Sequence, residues 1–110
     1  MDKLYEMQAD VLRMLAHPRR LEILHELANG PIEVGRLASR LGVSQPNVSQ
    51  HLALLRAAGL VGLERNGREV RYQLTDPEVM QACSIMRGFL ERRIGHLSTI
   101  TTRVMEAQHG

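Results

Sequence analysis

Val34-Gly-Arg-Leu-Ala-Ser-Arg-Leu-Gly-Val-Ser-Gln-Pro-Asn-Val-Ser-Gln-His-Leu-Ala-Leu-Leu55 is the stretch on which the fold turns. Val34, Leu37, Ala38 and Leu41 recur at helical spacing and predict a helix over about Glu33 to Arg40. Gly42 follows Ala38 by four residues. The small residue lets a second helix cross closely, and the glycine takes a turn dihedral closed to residues with a Cβ. Val43 plugs that turn. Ser44 is suited to cap the next helix, and Pro46 falls in its first turn, where no intrahelical donor is lost. Val48, Leu52 and Leu55 form the buried stripe of this helix, and Ala57-Ala58-Gly59 closes it. Caps, stripe and turn agree on a helix-turn-helix over about residues 34–58.

The next segment, Leu60-Val-Gly-Leu-Glu-Arg-Asn-Gly-Arg-Glu-Val-Arg-Tyr-Gln-Leu74, alternates apolar residues at Val61, Leu63, Val70, Tyr72 and Leu74. Asn66-Gly67 suits a type I′ turn and is the expected tip of a hairpin over residues 60–74. A reading helix followed by a charged hairpin is a winged helix, whose ordinary partner is double-stranded DNA. On the reading helix, Pro46, Asn47, Gln50, Ala53 and Ala57 lie opposite the buried stripe. This small, uncharged face fits a major groove about 12 Å wide, where Asn and Gln can pair with adenine. Ser44, Gln45, Asn47, Ser49 and Gln50 are the expected groove contacts, with His51 counted beside them near the DNA face. Arg65, Arg68 and Arg71 crowd the hairpin and are placed for phosphates or the minor groove, with Glu69 orienting one of them. The competing reading of both faces is an ordinary solvated surface.

Charge supports the first reading. Residues 34–75 hold six arginines (Arg36, Arg40, Arg56, Arg65, Arg68, Arg71) against Glu64 and Glu69, whereas the whole chain carries only +2. A basic face on a near-neutral body is the footprint of phosphate binding. With 110 residues, 44% apolar but only 3% aromatic, the chain reads as one domain, 1–110, mainly α with a small β-hairpin. No apolar run approaches a membrane span and none resembles a signal peptide, so the expected location is the cytoplasm, away from membranes.

Outside the motif, a first helix is expected over about residues 4–15, with Leu4, Met7, Val11, Leu12 and Leu15 on one stripe. Pro18 opens a second helix, burying Leu21, Leu24 and Leu27 or Ala28, which Asn29-Gly30-Pro31 ends. Asp76-Pro77-Glu78 starts a last helix to about residue 105. Val79, Cys83, Met86, Leu90, Ile94, Leu97, Ile100 and Val104 give it a stripe of about seven turns. That is longer than a winged-helix core can cover, so residues 4–15 and 76–105 are expected to dimerise two copies of the chain.

Together these residues resemble the ArsR/SmtB family of bacterial winged-helix repressors. Leu15-Ala-His-Pro-Arg-Arg-Leu-Glu-Ile-Leu24 is similar to the family's junction of helices 1 and 2, with His17 as a capping residue. Leu41-Gly-Val-Ser-Gln-Pro-Asn-Val-Ser-Gln-His-Leu52 is similar to its reading helix, and Gly67-Arg-Glu-Val-Arg-Tyr-Gln-Leu74 to its wing. The resemblance implies a homodimer through the first and last helices that leaves a palindromic operator when an inducer binds.

The family's sensor sites do not carry over. Ile32-Glu-Val-Gly-Arg36 has no thiol where metal sensors place a pair. Asp76 matches a second metal site, but Glu78, Phe89 and Arg92 stand at its other positions. Thiol sensors use two cysteines, and here Cys83 is single, with His25 opposite; Cys83 reads first as a buried hydrophobe and second as a redox group. No metal or cofactor is expected and the inducer is unassigned. With no catalytic set or phosphate loop, an enzyme is excluded. The alternatives are a winged-helix module for protein contact and a regulator with no small-molecule switch.

Overall fold

The computed structural model describes residues 2–109, and side chains as far as His96. The order of elements is α1 (Lys3–Leu15), α2 (Pro18–Leu27), α3 (Val34–Leu41), α4 (Gln45–Ala57), β1 (Val61–Asn66), β2 (Glu69–Leu74) and α5 (Glu78–His109). Contacts divide the chain into two units, one ending at Pro77 and one beginning at Glu78. The first is a winged helix-turn-helix; the second is the single helix α5.

Helix starts follow the local chemistry. Asp2 caps α1 by accepting the Leu4 N–H at 3.0 Å. His17 Nδ1 accepts the Arg19 N–H at 3.1 Å at the start of α2, where Pro18 needs no donor. Ser44 Oγ accepts the Asn47 N–H at 3.3 Å at the start of α4. Each such cap contributes about 1 kcal/mol. Between α3 and α4, Gly42 sits at φ 68°, ψ 32°. Its N–H donates to Ser39 O at 3.3 Å, and the Val43 N–H donates to Ala38 O at 3.1 Å. This paired closure, a Schellman motif, satisfies the last carbonyls of α3 and reverses the chain at once.

The core of the first unit is aliphatic. It comprises Ile23, Leu24 and Leu27 of α2, Ile32, Leu37 and Ala38 around α3, Val48, Leu52 and Leu55 of α4, and Leu60 and Val61. The expected α2 stripe is corrected here. Ile23 is wholly buried while Leu21 is 40% exposed, and Ala28 is exposed too. Both stripes are apolar at helical spacing, so periodicity alone did not choose between them.

The hairpin pairs β1 and β2 in antiparallel register, Val61 with Leu74 through to Asn66 with Glu69. The two-residue connection is therefore Gly67-Arg68, not Asn66-Gly67. Gly67 has φ +66° and no non-glycine residue has positive φ. Positive φ at the first central position alone is the pattern of a type II′ turn rather than I′. Asn66 closes the ladder instead of making the bend.

Two further contacts seat the hairpin. Ile32 exchanges both backbone hydrogen bonds with Tyr72, at 3.0 and 2.8 Å, in a single bridge that the sequence reading did not include. Thr75 donates its N–H to Leu60 O at 3.1 Å and its hydroxyl to Gly59 O at 2.6 Å, closing the hairpin base.

The long helices carry uncovered apolar surface. In the first unit, Leu4, Tyr5, Met7 and Leu12 of α1 are at least half exposed. On α5, Ile85, Met86, Phe89, Leu90 and Ile94 are exposed and Cys83 is partly exposed. Ile85 and Phe89 widen the expected stripe; the side chains of Leu97, Ile100 and Val104 lie outside the described residues. No helix among those residues is long and apolar enough to cross a membrane.

Leu52→Ala is expected to cost about 2–5 kcal/mol by opening a cavity beside α2 and α3. Leu54→Ala, at a side chain that is 47% exposed, is expected to cost less than about 1 kcal/mol. Urea unfolding at one protein concentration checks the contrast.

Candidate nucleic-acid interface

The reading helix presents two unlike faces. Val48, Leu52 and Leu55 are wholly buried against the helical core. Gln45, Pro46, Asn47, Gln50, Ala53 and Ala57 are exposed, and Ser49 is half-buried. Ser44 is exposed but its hydroxyl oxygen is engaged as the cap. Gln45, Asn47 and Gln50 are therefore the side chains with amide groups free to reach base edges, on a helix about 20 Å long.

His51 is placed differently from the others. It is half-buried, its ring centroid 4.7 Å from that of His17 with the planes tilted by 54°. Its Nδ1 is buried without a hydrogen-bond partner among the described residues. Burial above all, then His17, Arg20 and Arg19, push its pKa below the ordinary histidine value. His51 thus faces the start of α2, not the open face of α4. The signal in sequence was its position next to Leu52, one step from the buried stripe.

The arginines divide into bound and available groups. Arg71 is paired with Glu69 at 3.0 Å, as expected for an acid placed among the wing cations. Arg40 meets Glu26 at 3.6 Å. Arg36, Arg40 and Arg71 line one open polar groove beside the hairpin, together with Glu33 and Glu69, so the positive charge there is partly offset. Arg36, Arg56, Arg65 and Arg68 make no ion pair among the described residues, and Arg65 and Arg68 stand exposed at the wing tip. A cation without a carboxylate partner pays least to exchange water for a phosphate.

Metal chemistry finds no cluster: no three His, Cys, Asp or Glu come together among the described residues. His25 is exposed on α2, and Cys83 is the chain's one thiol.

A helix-turn-helix with a basic two-stranded wing is matched by a family of known proteins. The sequence model of the bacterial regulatory proteins of the arsR family matches residues 17–62, from the α2 cap to the first wing strand. The HTH-type transcriptional regulator Rv0081 of Mycobacterium tuberculosis is 35% identical over 92 residues, covering 83% of this chain and 81% of that protein. The chain belongs to the ArsR family. It is accordingly a transcriptional regulator and not an enzyme.

Other ArsR-family comparisons agree. The biofilm growth-associated repressor of Xylella fastidiosa is 37% identical over 81 residues, covering 74% of this chain and 71% of the repressor. Among solved structures, the crystal structure of Rv0081 superposes with TM-score 0.74 at 33% identity, covering 86% of this chain and 96% of that one. The homodimeric winged helix-turn-helix DNA-binding domain Mb0332 of Mycobacterium bovis superposes with TM-score 0.77 at 29% identity, covering 86% and 87% of the two chains.

Arg68→Ala is expected to weaken binding to all duplexes alike and to make the slope of log affinity against log salt shallower by about one. Arg71→Ala should move both quantities the same way but less, because Glu69 already holds that guanidinium. Titrations at several salt concentrations measure both, and an unchanged slope for Arg68→Ala would remove the wing from the interface.

Proposed function

We propose that this ArsR-family regulator is a homodimeric, sequence-specific repressor that reads a two-fold-symmetric operator in double-stranded DNA. The observation that carries the reading is the two-faced α4, with one side locked in the core and an exposed, uncharged amide face on the other. Gln45, Asn47 and Gln50 would contact base edges in the major groove, with Ser49 and the capping Ser44 near the backbone. Arg65 and Arg68 at the wing tip, with Arg71 behind them, would meet phosphates or the adjoining minor groove.

The second copy is supported by uncovered apolar surface on α1 and α5, where Leu4, Met7, Leu12, Met86, Phe89, Leu90 and Ile94 are all exposed. Surface of this kind marks an interaction site in a chain of this size. The Mycobacterium bovis relative described as homodimeric has the same fold. A dimer places two reading helices on half-sites one or two helical turns apart. Operator release by an inducer is part of the proposal. A DNA-bound repressor works in the cytoplasm, and the proposal places it there.

Selection of bound duplexes from a random library should enrich a two-fold-symmetric motif, and the protein should sediment at twice its 12.4 kDa chain mass. No enrichment, or a monomer at micromolar concentration, counts against the reading. On the selected duplex, Gln50→Ala is expected to lose about 1–3 kcal/mol of discrimination at particular base pairs. An unchanged preference at every position would remove Gln50 from base reading.

A further inference from the structure

Two imidazoles from different helices meet where α2 begins and α4 passes it. The ring centroids of His17 and His51 are 4.7 Å apart. His17 Nδ1 accepts the Arg19 backbone N–H at 3.1 Å, so this nitrogen carries no proton in the capped state. Protonating it removes the acceptor and with it the cap of α2. His51 Nδ1 is buried and has no partner among the described residues. A proton there becomes a buried cationic donor with nothing to donate to.

The surroundings offer that cation little relief. The first turn of α2 supplies His17, Arg19 and Arg20, and these are the charged or titratable groups that bear on His51. Arg19 is paired with Glu22 of the same helix at 2.9 Å. Arg20 Nη1 rests against Met14 Sδ of α1 at 3.4 Å, and Arg20 Nε is itself buried without a partner. A proton added to either ring therefore sets like charges against one another at the junction of α2 and α4. Burial first, and then these same like charges, lower the pKa of His51.

We infer that His17 and His51 are positioning residues for DNA reading, an acid-sensitive clasp that holds α4 against the start of α2 while both rings are neutral and loosens when either is protonated. The inference rests on α4 being the DNA-reading helix. It assigns His51 a role through His17 rather than through DNA contact, and the two roles differ in sign. A histidine that touched phosphate would add a cation to the interface on protonation and tighten binding as pH falls. The clasp weakens binding as pH falls.

The test is operator affinity for the full-length chain, on the duplex enriched by selection, across the histidine range at constant ionic strength. Between about pH 8 and about pH 5.5 the unaltered protein should lose roughly tenfold or more in affinity. The double variant His17→Asn/His51→Gln should stay within about threefold over the same range, because asparagine keeps the cap and neither side chain titrates there. The imidazole C–H resonances of His51 should titrate with a midpoint that matches the loss of affinity.

Affinity that is flat or rises on acidification overturns the inference. So does a fall that persists in the double variant, or a His51 midpoint that misses the loss. If the double variant does not fold, the profile of the unaltered protein and its His51 midpoint decide the matter. Absence of duplex binding at about pH 8 would remove the DNA-reading proposal and the clasp with it. Binding at that pH without acid loss removes the clasp alone.

Discussion

The turn between α3 and α4 is the constraint on which the rest of the first unit depends. Gly42 in the left-handed region, with the Gly42 and Val43 amides closing on Ser39 and Ala38, ends α3 and reverses the chain within three residues. Ser44 begins α4 as its cap immediately afterwards. The short turn leaves α4 little freedom of direction, and the buried Ala38 gives it room to cross. Once that crossing is set, Val48, Leu52 and Leu55 must enter the core and Asn47, Gln50 and Ala53 must face out. A side chain at Gly42 would need a positive φ that costs about 1–2 kcal/mol.

The hairpin is bound to the same frame by backbone pairing. The bridge between Ile32 and Tyr72 joins the second strand to the chain two residues before α3. Thr75 ties the strand's far end to Gly59 and Leu60 at the end of α4. The hairpin is thus held at both flanks of the helix-turn-helix. Its free cations, Arg65 and Arg68, lie at the tip, farthest from these ties.

Much of this was legible because local and long-range preferences agree. The α3–α4 turn has a small residue, a glycine, a cap and a proline, each at the position its own chemistry prefers, and the structure follows them all. Legibility failed where two arrangements satisfy the same local rule. Leu21 and Ile23 both continue an apolar stripe in α2, and only the position of α3 and α4 selects Ile23. Asn66-Gly67 is a good I′ turn, but Gly67-Arg68 is an acceptable II′ turn, and the strand register chose the second. The Ile32 bridge was not readable because one residue carries no alternation pattern. For His51, the sequence showed a polar side chain beside the open face, while the ring packs toward a histidine thirty-four residues earlier. Contacts of that span have no periodic signature.

The outward face of α4 holds up nothing. Asn47, Gln50, Ala53 and Ala57 are exposed and bury no part of the core, and exchanges at such positions typically change stability by less than about 0.5 kcal/mol. Duplicated copies of such a chain can drift across many surface chemistries on this helix without ever passing through an unfolded ancestor. The frame is costly to alter and the face is cheap, which is the condition under which one scaffold diversifies into many.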